Sequence, residues 1–252
     1  LSPLGAWNDL AIFFGVAIIL SLVALEQLRL TKAGQALFGF VTLVALIMLA
    51  VINFFAVWIV LGLISVVLLI YGLTKDRFVK QRSVVAKPAL SPASIGISLV
   101  VLVASIVFIL GGGIVGDGVS RLTSITYMEV RPSLGATMSI AKHVYGSEPF
   151  FGTGPNRFVD AWRLFKDPAL NQSIFWNTDF LAGFGYVPTF FVTMGLIGGI
   201  AWIVFIALFL VTGLRMLLRA SPGDPMWYFI GTTSFTAGIY IWGLTLIYVP
   251  GP

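Results

Sequence analysis

The sequence predicts an all-α integral membrane protein with about six transmembrane helices and one long external loop that contains short amphipathic helices. Of its 252 residues, 58% are hydrophobic and 10% are charged, whereas soluble globular proteins are about 45–50% apolar and about 25% charged. Apolar stretches near the ~20 residues that cross a bilayer recur along the chain. These observations exclude a soluble enzyme, a disordered tail and a nucleic-acid-binding domain, so no nucleic-acid partner is expected.

A membrane bundle of four helices is predicted over residues 1–115. The first span runs from about Trp7 to Leu28. The apolar run from Ala36 to Leu73 is too long for one crossing, so we predict a tight helical hairpin that turns near the polar side chain of Asn53. A fourth span follows from about Ser94 to Leu110 and ends at three consecutive glycines.

The rest of the chain divides into a loop and a second group of spans. Residues 116–188 form the predicted external loop, because they are rich in aromatic and charged residues and too long for a simple connector. Residues 189–252 supply two further spans, from about Thr189 to Leu214 and from about Trp227 to Val249. The chain opens without a methionine and stops directly after an apolar run, so we expect a piece of a longer polypeptide.

The distribution of charge predicts which side of the membrane each connection occupies. The connections after the first, third and fifth spans hold nine basic and three acidic residues, whereas the long loop holds six of each. Cytoplasmic loops carry the excess of Lys and Arg. We therefore expect a multi-pass plasma-membrane protein with its long loop outside, and we favour topology determinants over RNA or acidic-lipid binding as the role of the basic connections.

The loop begins with a cationic segment. Pro132 suits the first position of a helix, which would place Arg131 at the helix mouth. On a regular helix, Arg131, Met138 and Lys142 lie near one face and could bind an anionic head group. The alternative is that Arg131 lies against lipid phosphate or pairs with Glu129.

A glycine turn follows. Gly152 and Gly154 allow a tight bend whose backbone N–H groups can converge on an anion, and Arg157 would add charge. A structural turn at the bilayer surface is the alternative. Residues 156–166 then show the pattern of an amphipathic interfacial helix, and residues 171–186 add aromatic side chains suited to a belt at the membrane boundary or to a platform for sugar rings.

These motifs together resemble those of the O-antigen ligase/polymerase family of bacterial membrane glycosyltransferases. Residues 149–158 read Pro-Phe-Phe-Gly-Thr-Gly-Pro-Asn-Arg-Phe, and residues 194–199 read Met-Gly-Leu-Ile-Gly-Gly. The resemblance, which covers roughly Arg131 to Trp202, implies a bacterial inner-membrane enzyme. Such an enzyme transfers polyprenyl-diphosphate-linked sugars, carried on undecaprenyl diphosphate, to a glycan or lipid acceptor.

The resemblance also suggests roles for individual residues. Arg131 matches the family's loop-opening arginine, which grips the lipid-linked diphosphate, and a guanidinium suits that role because it binds two phosphate oxygens and stays charged. The acceptor hydroxyl needs a base, for which we rank His143 first, then Asp179, then Glu148. The predicted catalytic residues are thus Arg131 and His143. The predicted substrate-binding residues are Lys142, Gly152, Gly154, Arg157 and Asp179.

Neither a metal nor a cofactor is expected. The chain has no cysteine and His143 is its one histidine, which excludes thiolate and multi-histidine sites, and the resemblance implies a metal-independent reaction. The chain departs from the family pattern where the family's loop histidine should stand, since residues 184–188 read Phe-Gly-Tyr-Val-Pro. It also has about half the family's spans. The alternative is therefore a non-catalytic multi-span membrane protein, such as a transporter half or a scaffold.

Overall fold

A computed structural model describes residues 6–28, 30–79, 92–123, 130–172, 176–218 and 225–250. Within these residues the protein is helical and contains no strand, which confirms the predicted all-α class. The elements are α1 (Trp7–Gln27), α2 (Lys32–Ile52), α3 (Phe55–Val79), α4 (Pro92–Thr123), α5 (Leu134–Ser147), α6 (Phe158–Phe165), the 3₁₀ turn Pro168–Gln172, α7 (Tyr186–Leu218) and α8 (Pro225–Thr245).

Four stretches of the described helices are long and apolar enough to cross a membrane: Trp7–Gln27, Lys32–Ile52, Ile95–Gly116 and Tyr186–Leu217. A shorter apolar stretch, Phe55–Tyr71, lies in α3. The protein is therefore a multi-pass membrane protein by length and composition, as predicted.

The α2–α3 hairpin turns at Asn53, as the sequence predicts. Asn53 ends α2 in the left-handed conformation (φ 51°), which asparagine tolerates better than most residues. Its Nδ2 donates a hydrogen bond to the carbonyl of Gly112 on α4 (2.9 Å). The three glycines at residues 111–113 do not end the helix, because α4 continues through them to Thr123, and its apolar stretch of spanning length is Ile95–Gly116.

The chain folds into two compact units. The first comprises residues 1–127, 216–242 and 251–252. Its core includes the rings of Trp58 and Phe108, which stack with their centroids 4.4 Å apart. The hydroxyl of Tyr240 on α8 occupies the space where a Cβ of Gly15 would stand and donates to the carbonyl of Ile12 (3.3 Å), so α8 packs closely on α1.

The second unit comprises residues 128–215 and 243–250. Its core joins α5, α6 and α7 through buried apolar residues, namely Ile140, Ala141, Val144, Phe158, Ala161, Trp162 and Val192. The predicted amphipathic pattern of residues 156–166 is confirmed, since α6 buries Phe158 and Trp162 and exposes Arg163.

The start of α5 differs from the prediction. Ser133, rather than a residue before Pro132, caps the helix, and its Oγ accepts a hydrogen bond from the amide of Ala136 (3.1 Å). Serine is among the preferred N-cap residues because its short side chain reaches the free amides of the first turn. Arg131 therefore lies before the helix and not on the same helical face as Met138 and Lys142.

Candidate functional site

The most distinctive feature of the second unit is a break in α7 at Gly195. This residue has φ 59° and ψ −159°, a combination that only glycine adopts readily. The break separates residues 186–194 from residues 196–218. Backbone groups on both sides of it lose their helical partners and must be paired elsewhere.

The segment 148–154 supplies those partners. The amides of Thr153 and Gly154 donate to the carbonyls of Val192 (3.1 Å) and Thr193 (2.9 Å) before the break. In the opposite direction, the amides of Leu196 and Ile197 donate to the carbonyls of Pro149 (2.9 Å) and Phe150 (3.2 Å). Four reciprocal backbone bonds thus fasten this loop into the broken helix.

Gly152 and Gly195 make this close approach possible. A Cβ on Gly152 would lie 2.3 Å from the carbonyl oxygen of Val192, and a Cβ on Gly195 would lie 2.6 Å from the amide nitrogen of Gly152. Gly152 also has a positive φ of 62°. Both positions therefore require glycine for two separate reasons, conformation and space.

The glycine turn is not the anion nest that the sequence suggested. The amide of Gly152 donates to Glu148 (3.0 Å), and those of Thr153 and Gly154 are bound to α7. Because each amide already has a carbonyl partner, none of the three is left to bind an anion. Beside this turn lies an open cavity of about 350 Å³, lined by Phe151, Gly152, Thr153, Gly154, Pro155, Thr193 and Met194.

Arg131 is held in place by neutral groups. Its Nη1 donates to the carbonyls of Phe184 (3.3 Å) and Ile247, and its Cζ lies 4.7 Å from the centroid of the Phe184 ring. No acidic side chain among residues 130–172, 176–218 and 225–250 pairs with it. The half-buried guanidinium is thus held by neutral groups among the described residues, and Glu129, the alternative partner that the sequence offered, lies outside them.

Thr137 positions the residues around Arg131. This fully buried residue accepts a hydrogen bond from the amide of Phe184 (2.9 Å) and donates to the carbonyl of Ser133 (3.0 Å). A Cβ on Gly183 would lie 2.5 Å from the Thr137 side chain. Sequence reasoning missed Thr137, and it named Phe184 as a departure from a motif rather than as a partner of Arg131.

Two of the other predicted charged residues, Arg157 and Asp179, form local ion pairs. Nε of Arg157 lies 2.9 Å from Oδ2 of Asp160. Arg163 forms a two-point pair with Asp179, whose first contact joins Nε and Oδ1 at 3.0 Å. The hydrogen bond and charge of Arg163 lower the pKa of Asp179, and Lys166 adds to this effect. A carboxylate with a lowered pKa is a weak general base, so Asp179 is less suited to that role than the sequence suggested.

His143 and Lys142 are exposed on α5. Nδ1 of His143 lies 2.8 Å from the carbonyl oxygen of Ser139. A carbonyl only accepts hydrogen bonds, so Nδ1 carries the proton and, in the neutral ring, Nε2 carries the lone pair that a base requires. The ring stacks on Phe165 with centroids 5.3 Å apart.

The predicted site residues do not form one cluster. His143 lies about ten residues, or about 15 Å along the axis, from the start of α5, where Arg131 precedes the helix. Arg131 contacts Phe184 and Ile247, whereas Arg157 lies beside Gly154 and Asp160. The described residues contain no group of three or more His, Asp or Glu side chains that could hold a metal ion.

Comparison with known proteins does not assign the chain to a family. No protein-family model matches the sequence, and no curated protein matches it significantly.

Proposed function

We propose that this protein is a membrane glycosyltransferase of the O-antigen ligase/polymerase type. It would join sugars carried on a polyprenyl diphosphate to a glycan or lipid acceptor at the outer face of a bacterial inner membrane. In this proposal the chain crosses the membrane six times, and residues 116–188 lie outside. The basic connections on the opposite side support this orientation.

The observation that carries the proposal is the state of Arg131. Two backbone carbonyls and an aromatic ring fix its guanidinium, yet no described carboxylate neutralises it. A fixed, half-buried cation is suited to bind two oxygens of a diphosphate. Arg157 and Arg163 are already paired with acidic side chains, which leaves Arg131 as the better diphosphate ligand.

In the proposed reaction, the acceptor hydroxyl oxygen attacks the anomeric carbon of the donor sugar. The bond from that carbon to the diphosphate oxygen breaks, and the lipid diphosphate leaves with the bonding electron pair. Arg131 stabilises the charge that develops on the leaving oxygens. The hydroxyl proton passes to water or, for an acceptor that extends along α5, to Nε2 of His143, which lies about 15 Å along the helix axis from the end that Arg131 precedes.

The test compares glycan products in the native host. Arg131→Ala in the full-length protein should reduce transfer or chain length at least about 100-fold, because one donor to a developing oxyanion is worth about 10²–10³ in rate. Lys166→Gln is the matched control, since Lys166 is another cation of the second unit that donates to a carbonyl, that of Trp176 (2.8 Å). Unchanged product in Arg131→Ala would contradict the proposal.

The second candidate is a non-catalytic multi-span protein, such as a scaffold or a transporter half. The separation of Arg131 from His143 and the pairing of Asp179 with Arg163 favour it, because no base is assembled beside the cation. A His143→Gln variant with normal glycan, together with a normal product in Arg131→Ala, would support this candidate.

A further inference from the structure

The loop 148–154 has a fixed position along α7. The carbonyls of Pro149 and Phe150 accept hydrogen bonds from the amides of Leu196 and Ile197, which are the first residues after the break. The loop therefore caps the longer part of α7. Phe150 and Phe151 therefore lie close to the start of the longer part of α7, at Leu196.

The part of α7 that follows the break matches a bilayer in length. It contains 22 residues from Leu196 to Leu217, apolar except near the end, where Thr212 and Arg215 lie. They span about 33 Å at 1.5 Å per residue, whereas the hydrocarbon core is about 30 Å thick. The whole of Tyr186–Leu217, at 32 residues, is longer than a crossing requires. The part of α7 after the break at Gly195 is therefore long enough to cross the bilayer without the residues before it.

Phe150 and Phe151 extend the apolar surface of this helix. Their exposed fractions are 61% and 70%, and those of Leu196 and Ile197 beside them are 40% and 50%. Further along the same helix, large apolar side chains remain exposed, namely Ile200, Ile203, Val204, Phe205, Leu208, Val211 and Leu214. Exposed aromatic rings in water are unfavourable, at about 25 cal/mol for each Å².

The backbone of the loop is paired within the protein at several of its polar groups. Irregular backbone is tolerated at membrane depth only where its polar groups are paired within the protein. Here the amides of residues 152–154 and the carbonyls of residues 148–150 are all paired, mostly with α7. The amides of Phe150 and Phe151 have no backbone partner among the described residues, so the backbone of the loop belongs at the hydrated edge of the bilayer while the two side chains can reach further in.

We propose that the loop 148–154 lies at the boundary of the bilayer and inserts the side chains of Phe150 and Phe151 among the lipid acyl chains. The partner is the hydrocarbon of the membrane, because the pair continues an apolar helix surface and Glu148, at the start of the loop, is the loop's one charged residue. The inference goes beyond the proposed function and requires no glycan chemistry.

The test uses the absence of cysteine from the sequence, which makes single-cysteine labelling direct. Phe151→Cys and Phe150→Cys variants carry a bimane label and are reconstituted in phosphatidylcholine vesicles with brominated acyl chains. Ile203→Cys, within the long part of α7 after the break, is the reference for a position in contact with lipid. Ala169→Cys, in the polar turn after α6, is the aqueous reference.

Bromolipid should quench the labels at 150 and 151 to within about twofold of the label at 203 and at least about twofold more than the label at 169. Iodide in the water should quench the label at 169 more than the labels at 150, 151 and 203. Labels at 150 and 151 that behave like the label at 169, while the label at 203 is quenched normally, would overturn the inference. Two loop positions are used so that one poorly folded variant does not decide the result.

Discussion

The two compact units hold their backbones in different ways. In the first unit, long helices pack through apolar side chains, with Trp58 stacked on Phe108 and Tyr240 set into the space above Gly15. In the second unit, short helices and a broken helix are joined by hydrogen bonds between distant parts of the chain. The second unit therefore depends on individual backbone hydrogen bonds, whereas the first depends mainly on side-chain packing.

The two units should also differ in how well they tolerate substitution, and the proposed ligand-binding residue lies in the second. A packed apolar bundle tolerates hydrophobic exchange of similar volume. Arg131, Phe184 and the glycines of the α7 break lie in the unit whose geometry depends on specific backbone partners. Substitutions there should therefore affect both stability and the proposed binding of lipid diphosphate.

The largest expected effect is at the break in α7. Gly195→Ala introduces a Cβ 2.6 Å from the amide nitrogen of Gly152 at a positive φ, so it should destabilise the second unit by about 3 kcal/mol or more. Thermal unfolding in detergent measures the loss. Gly146→Ala on α5, where a Cβ would meet nothing within 4 Å, is the control and should be neutral or slightly stabilising.

The Gly195→Ala variant also tests the hydrogen bonds between the loop 148–154 and α7. Hydrogen exchange should be slow at the amides of Thr153, Gly154, Leu196 and Ile197 in the wild type and fast in Gly195→Ala. Fast exchange at these four amides in the wild type would mean that the loop is not fastened to α7.

The next effect is expected at Thr137. Thr137→Val keeps the shape but removes the hydroxyl that joins Phe184 to Ser133, and the cost should be about 2 kcal/mol because a backbone amide loses its partner. Thr137→Ser, which keeps the hydroxyl, is the matched control. Equal melting temperatures for the two variants would show that this hydrogen bond contributes little.

A smaller effect is expected in the first unit at Asn53. Asn53→Gly removes the hydrogen bond to Gly112 and should cost about 1 kcal/mol. Asn53→Ala should cost about 1 kcal/mol more, since alanine resists the left-handed conformation that glycine accepts. Urea unfolding in detergent distinguishes the two, and a reversed order would show that α2 ends differently.

The smallest effect is expected for the pair of Arg163 and Asp179. The pKa of Asp179 is lowered in the folded protein, so the pair stabilises the fold above the ordinary pKa of an aspartate and stops doing so as pH falls through the lowered value. The melting temperatures of wild type and Asp179→Asn should differ slightly and constantly between pH 7 and 5, and converge only in more acidic buffer. Convergence already near neutral pH would contradict the lowered pKa.

Periodicity and composition predicted the regular elements well. The lengths of the apolar runs predicted α1 and the hairpin at Asn53, and the alternation of apolar and charged residues predicted α6. Each of these features depends on residues that are close together in the sequence. The continuation of α4 through its glycines was missed, since nothing in the sequence shows that these glycines lie within a packed helix rather than at its end.

The site was predicted less completely, because its contacts join residues far apart in the chain. Arg131 was identified from its position in a motif, but its partners Phe184 and Ile247 lie 53 and 116 residues away. The glycine turn was recognised, but its partner, α7, was not. The loop amides find their acceptors in α7 because the helix is broken at Gly195. The role of His143 as the base stays a prediction.

The most direct test of the proposed function is the binding of undecaprenyl diphosphate to the purified protein in detergent. Wild type should bind it at least about tenfold more tightly than undecaprenyl monophosphate, and Arg131→Lys should lose that preference because a lysine lacks the planar pair of donors. Lys166→Gln should bind like the wild type. Equal affinities for the two lipids in the wild type, or an unchanged preference in Arg131→Lys, would contradict the assignment of Arg131 as the diphosphate ligand.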